Sequence, residues 1–311
     1  MIDFFEEIKM KLDKNMKIAV IAGGMSDERE VSLVTGNMLY KTLCEGGYTN
    51  VKFIDVGFDL SEKLREFNPD VVVNGLHGRY GEDGTVQGLL EMMKIPYTNS
   101  GVTASAVGMD KLICRAVMKE CGINVAEGKT IEAAADMERP YDFPFVIKDP
   151  VNGSSRGVYI VKNEESWEGA KKELKAGKRY LCEKFFKGRE VNVAVLENKV
   201  LGDVEITPAN EFYDFDAKYN SDKTIYTVHP DISEAAREKI SDAALKLHIA
   251  LGCKGVTRSD FIINGDDYIM LEINTLPGMT GHSLVPMIAK YRGIGYLELI
   301  ETLISECLAA R

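Results

Sequence analysis

The chain has no cysteine pair at C-x-x-C spacing: Cys44, Cys114, Cys121, Cys182, Cys253 and Cys307 lie scattered through its 311 residues. A chain this long needs no disulfide scaffold, so reduced thiols in a cytoplasmic protein are expected. Positive charge is in deficit, with 38 Lys and Arg against 48 Asp and Glu and a net charge of -10. That balance excludes generic nucleic-acid binding, which needs a basic surface to displace counterions. A phosphate ligand would need a local cationic site or a metal. No apolar run approaches the roughly 20 residues that span a bilayer. The first residues, "MIDFFEEIKMKLDKN", lack the apolar core of a signal peptide and read as a surface or interface helix. Repeats and low-complexity tracts are absent. Two nucleotide fingerprints are missing too: "CGINVAEGKT" has one residue too many for a P-loop, and "IAGGMSDER" is not G-x-G-x-x-G, which argues against a dehydrogenase.

Apolar residues at 45% and charged residues at 28% fit a soluble globular protein, and the length allows two or three compact units. Through residue 100, strands alternate with helices as in an open parallel sheet. "KIAVIAGG" runs into a helix with apolar Val31, Val34, Met38 and Leu39 that stops at Gly46 and Gly47, and "VKFIDVG" and "PDVVVNGLHG" supply further strands. "TVQGLLEMMKI" places Val86, Leu89, Leu90 and Met93 on one helical face. A second unit, 101–184, opens with a helix from Ala104 to Cys121 and continues as a small antiparallel α+β layer: "FPFVIKDP", "RGVYIVKN" and "KRYLCEKFF" as strands, "ESWEGAKKELKAG" as a helix. A third, 185–311, holds a hairpin turning at Glu197 and Asn198, a polar aromatic loop from Ala209 to Lys223, a helix from Ser233 to Leu251, a second hairpin and two terminal helices.

The second hairpin, "RSDFIINGDDYIMLEINTLPG", places Asp260, Glu272 and Asn274 among isoleucines and leucines. Strand alternation puts Arg258 and Asp260 on one face and pairs Glu272 with Asn274. An odd-numbered loop near Gly265 or a bulge brings all four together, with Phe261, Ile263, Ile269 and Leu271 behind; a two-residue loop separates them. Converged, these hard oxygens suit magnesium completed by water and nucleotide phosphates. The plain alternative is a solvated face carrying an Arg-Asp pair. "FVIKDPVNGSSRGVYIV" adds Lys148 at a strand end before a small-residue loop able to lay backbone N–H groups over phosphates. A simple hairpin would hold the same glycines.

Seven blocks in order, "GGMSDEREVSL", "LHGRYGEDGTVQG", "MDK", "NGSSRGV", "EFYDFDAKY", "GCKGVTRSDF" and "LEINTLPGMTGHSLVP", resemble the D-alanine:D-alanine ligases of the ATP-grasp superfamily across nearly the whole chain. The resemblance implies a three-domain α/β and α+β ATP-grasp fold preceded by a parallel α/β domain. It implies ATP-driven joining of two D-alanines through an acyl phosphate, for peptidoglycan synthesis in the cytoplasm. It also implies a homodimer with no nucleic-acid or membrane partner.

By the same resemblance Asp260, Glu272 and Asn274 hold two magnesium ions, with manganese able to substitute, and Glu272 bridges them. Arg258 and the backbone N–H of Gly278 match the oxyanion stabilisers. Glu28 matches the acid for the first substrate's ammonium, with His77 in the same pocket, and Ser283 and Leu284 match the site for the second carboxylate. Ser154 and Tyr219 match a hydroxyl network reaching Glu28. Lys111, Lys148, Ser154, Ser155 and Lys218 match phosphate contacts, Glu190 the ribose acid, and Glu183, Phe185 and Phe186 the adenine pocket. One departure is Asp149 directly after Lys148, where the family commonly has proline; it would add negative charge beside the phosphate lysine. Bland roles compete: an N-terminal helix charge for Glu28, a satisfied loop histidine for His77, an N-cap for Ser283, ordinary core for the phenylalanines. D-serine or D-lactate as second substrate, and a non-catalytic nucleotide sensor, are the rival readings.

Overall fold

A computed structural model describes residues 12–134, 136–153, 157–208 and 224–309. The expected N-terminal helix, and Ser154, Ser155, Lys218 and Tyr219, lie outside them. The first sheet is parallel, with order β2-β1-β3: β1 (Lys17–Ala22), β2 (Asn50–Asp55) and β3 (Val71–Asn74). Helix α1 (Arg29–Glu45) packs on it through a face that joins Leu39 and Leu43 to small residues. Ser32, Thr35, Gly36, Leu39 and Leu43 are buried, whereas Val34 is exposed. The reason is close approach: a Cβ at Gly36 would lie 2.2 Å from that of Ala22, so only small residues fit this seam. α2 (Leu60–Phe67) and α3 (Thr85–Met93) complete the layer, α3 burying Val86, Gln87 and Leu90.

The single helix expected from Ala104 to Cys121 is two, α4 (Val102–Met109) and α5 (Lys111–Glu120). Asp110 breaks it in extended conformation, its carboxylate capping α5 by accepting from the N–H groups of Leu112 and Ile113. Lys111 thereby opens a new helix. The central sheet is antiparallel, β4-β7-β5-β6, from β4 (Gly128–Glu132), β5 (Phe145–Lys148), β6 (Val158–Val161) and β7 (Arg179–Lys184), with α6 (Glu164–Glu173) across it. β4 occupies the false P-loop segment and was not foreseen. Phe145, Ile147, Trp167 and Tyr180 give this sheet a core of its own.

The third sheet, β10-β9-β8-β11-β12, is antiparallel: β8 (Arg189–Leu196), β9 (Lys199–Thr207), β10 (Ile225–Val228), β11 (Val256–Asn264) and β12 (Asp267–Asn274). Glu197 and Asn198 both have positive φ, 48° and 59°, as the two-residue turn between β8 and β9 requires. α7 (Glu234–Ala250), capped by the Ser233 hydroxyl, covers one face, and α8 (Leu284–Tyr291) and α9 (Tyr296–Ala309) pack beside β9 and α1. One apolar cluster runs from Ile18, Val20 and Val73 of the parallel sheet through Leu201 and Val204 to Ile288, Leu299 and Leu303. The first and third sheets therefore share a core, and the central sheet stands against them as a separately packed layer. Among the described residues no helix is long and apolar enough to cross a membrane.

Glu306 of α9 reports on this shared block. Its carboxylate accepts the Gly255 N–H at 2.5 Å, yet burial pushes its pKa up to about 7, with Glu197 adding to the effect. A folded-state pKa above the ordinary carboxylate value contributes stability below the unfolded pKa that is lost as pH rises through 7. Glu306→Gln keeps an acceptor for Gly255 without the charge. It should match the wild type near pH 4.5 and exceed it at pH 8 by about 1 to 3 kcal/mol, read by calorimetric melts at the two pH values.

Candidate active site

The turn between β11 and β12 is the two-residue kind, Gly265 and Asp266 lying between the partners Asn264 and Asp267. Alone it would send Asp260 and Glu272 to opposite faces. A bulge reverses this: Phe261 pairs with Met270, but Asp260 pairs with Glu272 and Arg258 with Asn274, so Leu271 is the extra residue. All four polar side chains thus share one face. The bulge also changes what lies behind them. Phe261 and Ile263 pack with Met270 and Ile273, not with Ile269 and Leu271 as the unbroken alternation suggested.

On that face Arg258 clasps Asp260 with both arms, Nε to Oδ1 at 2.7 Å and Nη2 to Oδ2 at 2.9 Å. The Asn274 amide reaches the same Oδ2 at 3.3 Å. Glu272 Oε2 lies 3.1 Å from Lys111 Nζ, which also donates to the Asn152 carbonyl at 2.9 Å. The hairpin is therefore tied to the small-residue loop that follows β5. Each acid is met by a cation, and the donor set of two carboxylates and one amide oxygen fits magnesium. No group of three or more His, Cys, Asp or Glu converges among the described residues; the third oxygen here comes from an amide.

At the end of β5, Lys148 Nζ meets Glu183 Oε2 at 2.7 Å, and Arg115 Nη1 meets Glu183 Oε1 at 2.5 Å. Arg115 also donates to the Ala126 carbonyl. Sequence reading passed over Arg115. Its signal was an arginine on the apolar face of α5, beside Cys114 and Met118, where burial demands a partner. Asp149 does not sit against Lys148 as the sequence suggested. Strand alternation turns it away, and its carboxylate takes Lys178 at 2.6 Å, the Asn152 amide at 2.9 Å and the Val151 N–H at 3.3 Å. It is neutralised and shapes the loop.

An opening lined by Ile123, Asn124, Val125, Phe186, Tyr268 and Ile269 lies at the other end of the sheet face. Phe186 and Ile269 give it the apolar walls a planar base requires. Phe185 is half-buried beside it and does not line it, although its N–H bonds the Pro144 carbonyl at 3.3 Å. Glu190 sits on β8 opposite Ile262.

A second cleft is lined by Ser26, Glu28, Gly78, Met109, Asn152 and Gly153. Glu28 reaches across it to the small-residue loop: a Cβ at Gly153 would lie 3.0 Å from Glu28 Oε1. His77 is buried between Thr35 Oγ1 at 2.9 Å and Glu82 Oε1 at 3.2 Å. Both holders were missed, because nothing local marks them. His77 Cε1 and Ser283 Oγ flank Gly278, 3.8 and 3.0 Å from where its Cβ would be. Ser283 occupies the N-cap position of α8 without a capping bond. Its hydroxyl instead accepts from the Thr280 N–H and pairs with the Thr280 hydroxyl, both at 2.9 Å, so Ser283 holds the N-cap position without its hydroxyl capping the helix. Leu284 packs its side chain into the shared core, leaving only its backbone N–H for an anion.

The motifs and this geometry agree with known proteins. Models described as "D-ala D-ala ligase C-terminus" and "D-ala D-ala ligase N-terminus" match residues 117–305 and 49–100. The D-alanine–D-alanine ligase of Anaeromyxobacter sp. (strain Fw109-5) is 48% identical over 295 residues, covering 93% of this chain and 96% of the relative. That of Geobacter sulfurreducens is 43% identical over 303 residues, covering 94% of each. The crystal structure of D-alanine–D-alanine ligase from Bacillus anthracis complexed with ATP matches with a TM-score of 0.82 and 30% identity, covering 95% of this chain and 98% of that one. With a family model over more than half its length and relatives matched nearly end to end, this chain belongs to the D-alanine–D-alanine ligase family.

Proposed function

We infer that this chain joins two D-alanines to D-alanyl-D-alanine at the expense of ATP, for peptidoglycan synthesis. The observation that carries this is the convergence of Arg258, Asp260, Glu272 and Asn274 on one sheet face, tied through Lys111 to the loop after Lys148. A carboxylate is a poor electrophile, so the first D-alanine must be activated. Its carboxylate oxygen attacks the γ-phosphorus, the bond to ADP breaks, and an acyl phosphate forms. The second amine then attacks the acyl carbon; the C–N bond forms, phosphate leaves, and the nitrogen gives up its proton.

Each described residue has a part in that sequence. Lys111 and Lys148 hold phosphate oxygens, Phe186 lines the opening for the base, Glu183 and Phe185 belong to the base pocket through the sequence motifs alone, and Glu190 takes the ribose. Glu28, with His77 beside it, holds the first ammonium; Ser283 and the Leu284 N–H hold the second carboxylate at the start of α8, where unbonded N–H groups favour an anion. Arg258, once released from Asp260, and the Gly278 N–H stabilise the oxygen that becomes anionic as the amine adds, an interaction strongest in the transition state. Two magnesium ions at Asp260, Glu272 and Asn274, when bound, supply charge neutralisation and Lewis acidity at the phosphates. Ser154, Ser155, Lys218 and Tyr219 belong to this proposal through the sequence motifs alone. So do the unit boundaries at 1–100, 101–184 and 185–311, and a cytoplasmic homodimer.

A nucleotide sensor would be expected to have lost a metal ligand or the oxyanion arginine, and this chain keeps them. Phosphate release should require D-alanine, with the dipeptide and ADP identified by mass. Release without D-alanine, or a preferred mixed product when D-serine or D-lactate is added, would overturn the substrate assignment.

A further inference from the structure

Asn192 of β8 is the register partner of Asp260 on β11. Cross-strand partners share a face, so its side chain lies beside the metal-face acids, with Glu272 next along the row. Val191 and Val193 point the opposite way, into the core behind the sheet. Asn192 is only 1% exposed. Neither its amide nitrogen nor its oxygen has a hydrogen-bond partner among the described residues. An asparagine amide offers two donors and an acceptor with two lone pairs, and leaving all of them unmade in the interior is costly. The other buried positions of this strand are Val, Ala and Leu, and an apolar residue would satisfy position 192 better in the ligand-free state. A buried polar group kept at such a cost beside a site is explained by a partner that appears in another state.

That state is implied by Arg258. In the ligand-free chain Arg258 fills both oxygens of Asp260. On the functional reading above, on which this inference rests, the guanidinium must turn to the acyl oxygen while Asp260 turns to a divalent ion. The exchange takes two hydrogen bonds from a carboxylate that is 4% exposed. We propose that the Asn192 amide then donates to Asp260, holding one carboxylate oxygen so that the other is aimed at the metal. Asn192 is thus a positioning residue for metal-nucleotide binding. The clasp of Arg258 on Asp260 and the unpartnered Asn192 amide are the two observations that this exchange accounts for.

Asn192→Leu keeps the volume and removes the amide; Asn192→Ser keeps a donor. Thermal melts and ATP titrations, each with magnesium and with chelator, separate the outcomes. Asn192→Leu should melt above the wild type without ligand, bind magnesium-ATP about tenfold more weakly, and bind ATP in chelator as the wild type does. Asn192→Ser should recover most of the magnesium-dependent affinity. Unchanged magnesium-ATP affinity in Asn192→Leu overturns the proposal, and so does a loss equal with and without magnesium, which would place the amide on the nucleotide itself. If Asn192→Leu does not fold, Asn192→Ala carries the same affinity test. A wild type that binds no magnesium-ATP contradicts the functional reading instead, so the two failures are distinguishable.

Discussion

Glu272→Ala should lose ligation by about a thousandfold or more while still folding. On the proposed metal-binding role, removing this carboxylate forfeits several kcal/mol of charge stabilisation at the phosphates, and each 1.4 kcal/mol is roughly a factor of ten in rate. The structural cost is small by comparison. Glu272 is half-buried, and its ion pair to Lys111 at 3.1 Å is reached by solvent from the carboxylate side; pairs reached by solvent contribute about 1 kcal/mol or less. Steady-state phosphate release and a thermal melt on the same preparation separate the two effects. Activity within a few-fold of wild type would remove the metal assignment.

On the proposed oxyanion role, Arg258→Met should lower kcat by about 10²- to 10³-fold, the usual cost of deleting one oxyanion donor. It should also destabilise the ligand-free protein by about 3 kcal/mol, because Asp260, 4% exposed, loses its only charged partner among the described residues and is left with neutral amides, that of Asn274 at 3.3 Å and, on the proposal above, that of Asn192. The two losses respond differently to ligand. Magnesium with ADP supplies Asp260 with a new cation, so it should raise the melting temperature of the variant more than that of the wild type, while kcat stays low. Arg258→Lys should recover little of either, since one ammonium cannot span both carboxylate oxygens. Equal melting temperatures for variant and wild type without ligand would mean that the Arg258 clasp contributes nothing to the fold.

The candidate site residues stood out in the sequence because each sits in a short local block: a lysine at a strand end, acids at alternate strand positions, glycines in a small-residue loop. Whether the hairpin acids converge was not legible. The turn is the two-residue kind that alone would have scattered them, and the rescue is a bulge at Leu271, a feature set by packing between sheets rather than by its own residue type. Asp110 could have been recognised as a cap inside an apparently continuous helix, since an aspartate followed by an apolar run is a start signal. Lys111 with Glu272, Arg115 with Glu183 and Asp149 with Lys178 are pairs of distant segments; periodicity holds no information on them. The same holds for Val34, apolar by pattern yet exposed because α1 approaches its sheet through Gly36.

The central claim is that residues from three sheets meet to clamp divalent cations on a nucleotide beside an activated acyl group. Anomalous diffraction from manganese in crystals grown with ATP addresses it directly. Peaks at coordinating distance from oxygens of Asp260, Glu272 and Asn274, with Arg258 released from Asp260, are the predicted result. Manganese bound elsewhere, with the Arg258 clasp on Asp260 intact around bound nucleotide, would contradict it.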